Sequence, residues 1–191
     1  METGLEEVEG IVIGASAGAV AALSQVLPSL PAHYPLPVVV VVHVSPQNGG
    51  SLAELFQAKC RVTVKEAEDK EPIAAGTVYF APADYHLMVE KSLSLSLSSE
   101  EPVLFSRPSI DVLFQSAADA YGPALLAIVL TGANEDGAQG VRAVWEAGGA
   151  VIVQAPETAE ARAMPDAARA ACPDAQLMTL AAMVEFLCLA R

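Results

Sequence analysis

Basic residues and long apolar runs are both scarce in this chain. Its 191 residues include only 10 lysines and arginines against 23 acidic residues, which gives a formal net charge of -13. A charge of this sign repels phosphate backbones, and the basic residues form no cluster, so the sequence argues against nucleic-acid binding. No stretch reaches the roughly 20 apolar residues of a membrane-spanning helix, and the acidic N-terminus is unlike a signal peptide. We therefore expect a cytoplasmic protein that does not insert into membranes.

Patterns for disulfides and for metal binding are missing as well. The 3 cysteines, Cys60, Cys172 and Cys188, lie far apart without a C-x-x-C pair, so we expect buried thiols rather than disulfides. The 3 histidines show neither H-x-H nor H-E-x-x-H spacing, the arrangements typical of catalytic metal sites. We accordingly predict no metal and no other cofactor.

The chain does contain a regular alternation of strand and helix patterns. Hydrophobic residues make up 53% of it, enough for one large core. The five valines of Val38–Val42 are apolar on both faces, as a buried parallel strand requires. Three short runs, Thr77–Ala81, His86–Glu90 and Ser92–Leu97, predict an inserted antiparallel hairpin region. We predict a single domain over residues 1–191, of class α/β: a doubly wound, mostly parallel sheet with helices on both faces and a small antiparallel hairpin flank.

Three polar residues follow apolar strands, at the sheet edge where α/β proteins bind their ligands. Ser16 lies in Gly-Ala-Ser-Ala-Gly, the G-x-S-x-G pattern of a nucleophile elbow, directly after the first strand. His43 follows the valine run and suits a general base, whereas Asp136 follows the strand Leu125–Leu130 and suits the residue that orients the imidazole. The pattern predicts a Ser-His-Asp catalytic triad.

Each of these residues also has a simpler explanation. A small-residue turn such as Gly14–Gly18 suits phosphate binding or tight packing. His43 is equally explained as a strand-end histidine bonded to the backbone, and Asp136 as a helix N-cap. The argument for a triad is that all three residues end separate apolar strands at one expected edge of the sheet.

Six segments of the chain, taken together and in order, are more specific than any one of these motifs. They are Ile11–Gly18, His43–Pro46, Ala75–Pro82 with His86, Arg107–Phe114, Leu130–Ala138 and Met164-Pro165. In this order they resemble the catalytic domain of the CheB-type chemotaxis protein-glutamate methylesterases, and they extend over nearly the whole chain.

The resemblance implies hydrolysis of glutamyl methyl esters, with release of methanol, and often deamidation of glutamines. The implied partner is the methylated cytoplasmic region of chemoreceptors or a similar protein ester. The resemblance also implies roles for individual residues: Ser16, His43 and Asp136 as the triad, the backbone N–H groups of Ala17 and Ala133 as oxyanion donors, and Arg107 and Met164 in substrate binding.

The chain departs from the family pattern in the loops around the triad. Where the family usually has Thr-Gly-Gly after the serine, this chain has Ala17-Gly18-Ala19. Where the family usually has Gly-Met-Gly, it has Gly132-Ala133-Asn134. The family usually also carries an N-terminal phosphoacceptor receiver domain, which this sequence does not show. The altered loops at Ala17 and Ala133 keep open a non-catalytic receptor-binding module on the same fold.

A dinucleotide-binding oxidoreductase is a further alternative. The spacing Gly14-x-x-x-Gly18 after a first strand also resembles the turn of short-chain dehydrogenases. Against this interpretation, the second strand ends in His43 rather than in an acidic residue for the ribose, and no Tyr-x-x-x-Lys motif occurs.

Overall fold

The computed structural model describes residues 5–43 and 51–190. Val44–Pro46, which belong to one of the segments used for the resemblance, lie outside the described residues. The strands are β1 Gly10–Ala15, β2 Val38–Val42, β3 Thr63–Glu66, β4 Thr77–Phe80, β5 His86–Val89, β6 Leu95–Ser98, β7 Leu125–Val129, β8 Ala150–Gln154 and β9 Gln176–Met178. The α-helices are α1 Ala19–Val26, α2 Leu52–Gln57, α3 Ile110–Tyr121, α4 Ala138–Glu146, α5 Ala163–Ala171 and α6 Leu180–Leu187.

Seven strands form one parallel sheet in the order β3-β4-β2-β1-β7-β8-β9, and β5 and β6 form a separate antiparallel pair. β1 lies at the centre, between β2 and β7, and every residue of these three strands is buried. Central strands that are buried on both faces require the continuous apolar runs seen in the sequence. The predicted fold class is therefore confirmed.

The sheet separates two hydrophobic cores. Successive residues of β1 face opposite sides, so that Ile11 and Ile13 pack into one core and Val12 into the other. Helices α1, α2 and α6 cover the first core, and α3, α4 and α5 cover the second. Each fully buried aliphatic side chain of this kind stabilises the fold by about 1.5–3 kcal/mol.

The prediction for the region between residues 77 and 97 was partly wrong. β5 and β6 form the expected antiparallel hairpin, but Thr77–Phe80 belongs to the main sheet, where it pairs in parallel with β2 and β3. The physical reason is burial on both faces: Val78 and Phe80 pack into one core and Tyr79 into the other. The hairpin strands β5 and β6, by contrast, contribute side chains only to the second core.

Two further features differ from expectation. The sequence analysis missed β9, a three-residue edge strand whose central Leu177 is exposed, because so short a run has no readable pattern. The cysteines are unpaired as expected, but only Cys172 is buried, whereas Cys60 is partly exposed and Cys188 exposed.

None of the helices in the described ranges is both long and apolar enough to cross a bilayer.

Candidate active site

The carboxyl ends of β1, β2 and β7 meet at one edge of the sheet and hold the site together through backbone hydrogen bonds. Ala15 is paired with Val42, so Ser16 and His43 are the next residues on neighbouring strands. The N–H of His43 donates to the carbonyl of Ala15 at 3.1 Å, and the N–H of Ser16 donates to the carbonyl of Thr131 at 2.9 Å. The register of the sheet therefore determines the spacing of these three loops.

The turn that carries Ser16 depends on two glycines. Gly18 has φ 81°, in the left-handed region that glycine adopts without strain, and α1 begins at the next residue. A Cβ on Gly14 would overlap Cγ2 of Ile110, so only glycine lets the start of α3 approach β1 this closely. The hydroxyl of Ser16, which is half-buried, makes no hydrogen bond within the part of the chain that the structure describes.

His43 and Asp136 form a short hydrogen bond. Nε2 of His43 lies 2.7 Å from Oδ2 of Asp136, with the histidine side chain 12% exposed and the aspartate fully buried. Because an ionised carboxylate only accepts, Nε2 carries the ring proton in this contact and Nδ1 keeps its lone pair. The other ring nitrogen, Nδ1, lies 3.4 Å from Nδ2 of Asn134. Nδ1 is therefore the nitrogen that is able to take up a proton.

Three more donors converge on the carboxylate of Asp136. The Ser109 hydroxyl donates at 2.9 Å, and the N–H groups of Ile110 and Asp111 donate at 2.7 and 3.0 Å. Both N–H groups belong to the first turn of α3, whose dipole favours a negative charge at this end. Burial alone would raise the pKa of Asp136, but the hydrogen bonds from His43 and from these N–H groups outweigh it, so the pKa lies below its ordinary value. Asp136 is thus held in its charged form.

The loops after β1 and β7 are joined by Thr131. Its hydroxyl donates to the carbonyl of Ala17 at 2.8 Å and accepts from the N–H of Ala161 at 2.9 Å. The residues predicted to supply the oxyanion donors, Ala17 and Ala133, are both exposed, and neither N–H donates a hydrogen bond among the described residues. Within the described ranges, these two N–H groups at the same edge of the sheet have no protein acceptor.

The two residues predicted to bind substrate lie in different surroundings. Arg107 is partly buried, and its Nη1 donates to the backbone carbonyls of Ser99 and Glu100, both at 3.1 Å. Met164 is buried at 1% exposure. Its side chain packs directly under Gly132, where a Cβ would lie 2.6 Å from Sδ, and its N–H donates to the Gly132 carbonyl. Met164 therefore supports the loop that carries Ala133.

Several residues around Asp136 were missed by the sequence analysis. His86 is buried, accepts from the N–H of Ser109 at Nδ1, and contacts the carbonyl of Glu101 through Nε2. Ser109 in turn donates to Asp136. The signal was present, because His86 and the Arg107–Phe114 segment are among the residues that carry the resemblance. Neither, however, follows an apolar strand, as Ser16, His43 and Asp136 do.

The fold and this edge of the sheet together are typical of one class of protein. A parallel α/β sheet with a serine on a tight strand-to-helix turn, beside a histidine that is bonded to a buried aspartate, is an arrangement used by serine hydrolases. The same constellation occurs on unrelated folds, so the family has to be identified from the whole chain.

The chain belongs to the CheB methylesterase family, whose model matches residues 11–187. It is 47% identical to a protein of Leptospira interrogans over 160 residues, covering 84% of this chain and 83% of that protein. It is also 41% identical over 155 residues to protein-glutamate methylesterase/protein-glutamine glutaminase 4 of Myxococcus xanthus, covering 81% of this chain but only 44% of the Myxococcus protein. The chain therefore spans less than half the length of that relative.

The comparison with solved structures agrees with the family assignment. The crystal structure of the Thermotoga maritima CheB methylesterase catalytic domain superimposes with a TM-score of 0.89 at 33% sequence identity, covering 95% of this chain and 97% of that one. The resemblance inferred from the sequence is confirmed. Because the family model and the fold agree over nearly the whole chain, the dinucleotide-binding alternative has no support.

Proposed function

We propose that this chain is a serine hydrolase that cleaves glutamyl methyl esters on the cytoplasmic helices of chemoreceptors. Its catalytic triad would be Ser16, His43 and Asp136, within a single catalytic domain over residues 1–191 that acts in the cytoplasm. The observation that carries the proposal is the 2.7 Å contact between His43 and the buried, charged Asp136. His43 follows the strand next to the one that Ser16 follows, and the chain belongs to the CheB methylesterase family.

Acylation begins at Ser16. Its Oγ attacks the ester carbonyl while the hydroxyl proton passes to Nδ1 of His43, and Asp136 stabilises the imidazolium that results. The carbonyl oxygen becomes an oxyanion. When the tetrahedral intermediate collapses, the bond between the carbonyl carbon and the methoxy oxygen breaks. Nδ1 then returns its proton to that oxygen and methanol leaves.

Deacylation repeats these steps with water. A water molecule gives one proton to Nδ1 of His43 as its oxygen attacks the acyl carbon, and the bond to Ser16 Oγ then breaks. The proton on Nδ1 returns to Oγ, which frees the serine, and the new carboxylic acid releases the second water proton to solvent to give a glutamate side chain. The triad members finish in their starting protonation states.

The N–H groups of Ala17 and Ala133 are the proposed oxyanion donors. Their support is that both are free of protein acceptors in the described part of the chain and that Thr131 and Met164 hold their loops. The loss of one such donor typically costs about 10²- to 10³-fold in turnover. Backbone donors do not depend on side-chain identity, so the alanines that replace the usual threonine and methionine leave them intact.

Arg107 is proposed to attract the substrate. It pairs with no carboxylate among the described residues, because its guanidinium is anchored on backbone carbonyls. An uncompensated positive charge in a chain of net charge -13 offers a local contact for an acidic segment of the substrate. Met164 would act on the substrate through the loop it supports.

Active-site labelling tests this proposal. A fluorophosphonate reacts readily only with an activated serine, so it should label Ser16 in the wild type and label neither Ser16→Ala nor His43→Ala. Ser24→Ala, which removes another serine from the same region of the chain, is the matched control and should be labelled normally. Methanol release from a methylated receptor fragment should follow the same order. Persistent labelling or methanol release in Ser16→Ala would reject Ser16 as the nucleophile.

A non-catalytic binding module remains the second candidate. The observation that favours it is that the Ser16 hydroxyl makes no hydrogen bond to His43 in the described part of the chain. A folded wild type that binds the methylated fragment, but neither reacts with the fluorophosphonate nor releases methanol, would establish this alternative.

A further inference from the structure

Asn134 contributes a polar side chain to the site that the triad does not require. Its Nδ2 lies 3.4 Å from Nδ1 of His43, and its Oδ1 accepts the backbone N–H of Asp136 at 3.2 Å. The side chain is partly buried. It stands where the family pattern usually has glycine, so this contact is a property of the present chain rather than of the fold.

The orientation of this amide is determined by its partners. The N–H of Asp136 only donates, so it has to face the oxygen of Asn134, and the opposite orientation would set two donors against each other. The NH₂ group of Asn134 is therefore turned toward His43. There it meets Nδ1, which keeps its lone pair because Nε2 carries the proton shared with Asp136. The result is a donor fixed beside the nitrogen that accepts and returns the catalytic proton.

The same nitrogen determines where the leaving group must lie. Nδ1 has to deliver its proton to the leaving atom, which places that atom within about 2.6–3.2 Å of Nδ1. Because the NH₂ group of Asn134 lies 3.4 Å from Nδ1, the leaving atom and this NH₂ group are neighbours during acylation. Binding of a substrate would therefore replace the contact between this amide and His43 by one between the amide and the leaving atom.

A donor at this position treats the two possible substrates differently. The methoxy oxygen of a glutamyl methyl ester has lone pairs and accepts a hydrogen bond from Asn134. The side-chain nitrogen of glutamine only donates while it is a planar amide, and in the tetrahedral intermediate its single lone pair takes the proton from Nδ1. It therefore has no acceptor left for Asn134, and its N–H groups would face those of Asn134. Leaving polar groups of a site unpaired is how enzymes reject a close analogue.

Building on the proposed function, we infer that Asn134 is a specificity-determining residue that favours methyl ester hydrolysis over glutamine deamidation. The effect belongs to acylation, in which methanol leaves from the ester and ammonia from glutamine. Deacylation proceeds from the same acyl-enzyme for both substrates, and its attacking water accepts from Asn134 equally in each case. The quantity that reports the role of Asn134 is thus the ratio of kcat/KM for ester to kcat/KM for amide.

The test uses two peptides of identical sequence, one with a glutamyl methyl ester and one with glutamine at the same position. Methanol and ammonia release are measured for the wild type, Asn134→Asp, Asn134→Leu, Glu135→Gln and Ser16→Ala. Asn134→Asp keeps the acceptor for the Asp136 N–H but presents an oxygen to the leaving group. The effect of its added charge beside His43 is controlled by Asn134→Leu, which adds no charge. Asn134→Leu has similar volume and no polar group, and Glu135→Gln is a matched control in the same loop.

We expect the ester-to-amide ratio to fall about tenfold or more in Asn134→Asp and by a smaller factor in Asn134→Leu, with no change in Glu135→Gln. Thermal unfolding of each variant shows whether it is folded. An unchanged ratio in both Asn134 variants, with Ser16→Ala inactive on both peptides, would overturn the inference and leave the proposed function intact. Activity retained by Ser16→Ala would instead reject the proposed function.

Discussion

Asp136 caps the N-terminus of α3, the helix that contains Asp111, and Asp111 caps the N-terminus of α4, the helix that Asp136 precedes. Asp136, which directly precedes α4, accepts from the N–H groups of Ile110 and Asp111 at the start of α3. Asp111, in the first turn of α3, accepts through Oδ1 from the N–H groups of Gly137 and Gly140, at 3.0 and 2.7 Å, at the start of α4. The two carboxylates thus link the N-termini of α3 and α4 by hydrogen bonds. Each carboxylate lies at the positive end of the helix that it caps.

The pKa values of the two carboxyl groups are shifted in opposite directions. Burial is the main reason that the pKa of Asp111 is raised, and the charge of Asp136 raises it further despite the N–H donors. For Asp136 the hydrogen bonds outweigh burial and lower the pKa. Asp136 is accordingly the carboxylate that the site holds in its charged form, which is the form that stabilises an imidazolium at His43.

Replacing Asp136 should separate its proposed catalytic role from its structural one. Asp136→Asn keeps the shape of the side chain but permits the wrong tautomer of His43, so we expect kcat to fall by about 10⁴-fold. Asp136→Ala also leaves the donors of Ser109, Ile110 and Asp111 unsatisfied and should cost a further 1–2 kcal/mol of stability, roughly the value of an N-cap. Ester hydrolysis and urea unfolding measure the two effects. Equal stability of the two variants would contradict the capping role.

The opposite pKa shifts predict opposite pH dependences of stability. The stabilisation from the lowered pKa of Asp136 is fully present above the ordinary value of 3.8 and is lost as the pH falls toward the folded-state value. The raised pKa of Asp111 means that its ionisation destabilises the folded state as the pH rises above 3.8, and protonation relieves this cost.

Asparagine variants isolate each contribution. The stability of Asp136→Asn relative to wild type should worsen as the pH rises from about 3 to about 7, whereas that of Asp111→Asn should improve over the same range. Urea unfolding at several pH values gives both slopes. Slopes of the same sign would contradict the opposite pKa shifts of the two carboxyl groups.

The approach of α3 to β1 can be tested with a double-mutant cycle. Gly14→Ala should destabilise the protein by about 1–3 kcal/mol because its Cβ would overlap Ile110, a case of overpacking. Ile110→Ala should cost about 2–5 kcal/mol through the cavity that it leaves. The double variant should be less destabilised than the sum of the two, since each change relieves the effect of the other. Simple additivity would show that the two residues are not in contact.

The role of Met164 can be read from its effect on kcat and KM. Met164→Ala should cost about 2–5 kcal/mol of stability and lower kcat with little change in KM, because the cavity loosens the loop that carries Ala133. Met164→Leu conserves the volume and should cost less than about 1.5 kcal/mol. A higher KM with an unchanged kcat would instead show that Met164 contacts the substrate.

The sequence by itself determined the α/β class and the positions at which polar residues end the central strands. A five-valine run such as Val38–Val42 is stable only when it is buried on both faces, which requires a sheet covered on both sides. Parallel strands share their carboxyl edge, so Ser16 and His43 had to lie at the same edge of the sheet. Local pattern and strand direction were sufficient for these inferences.

Only the tertiary structure decided how Asp136 is held and what surrounds His43. The donors of Ser109 and Ile110 come from a helix that is distant in sequence and reaches Asp136 only because α3 packs against α4 and over Gly14. Likewise, spacing along the chain does not reveal that Asp136 bonds to Nε2 of His43, or that the NH₂ group of Asn134 faces Nδ1. These features depend on side-chain directions and long-range packing, which a periodic pattern does not encode, whereas the pattern does encode which residues form strands.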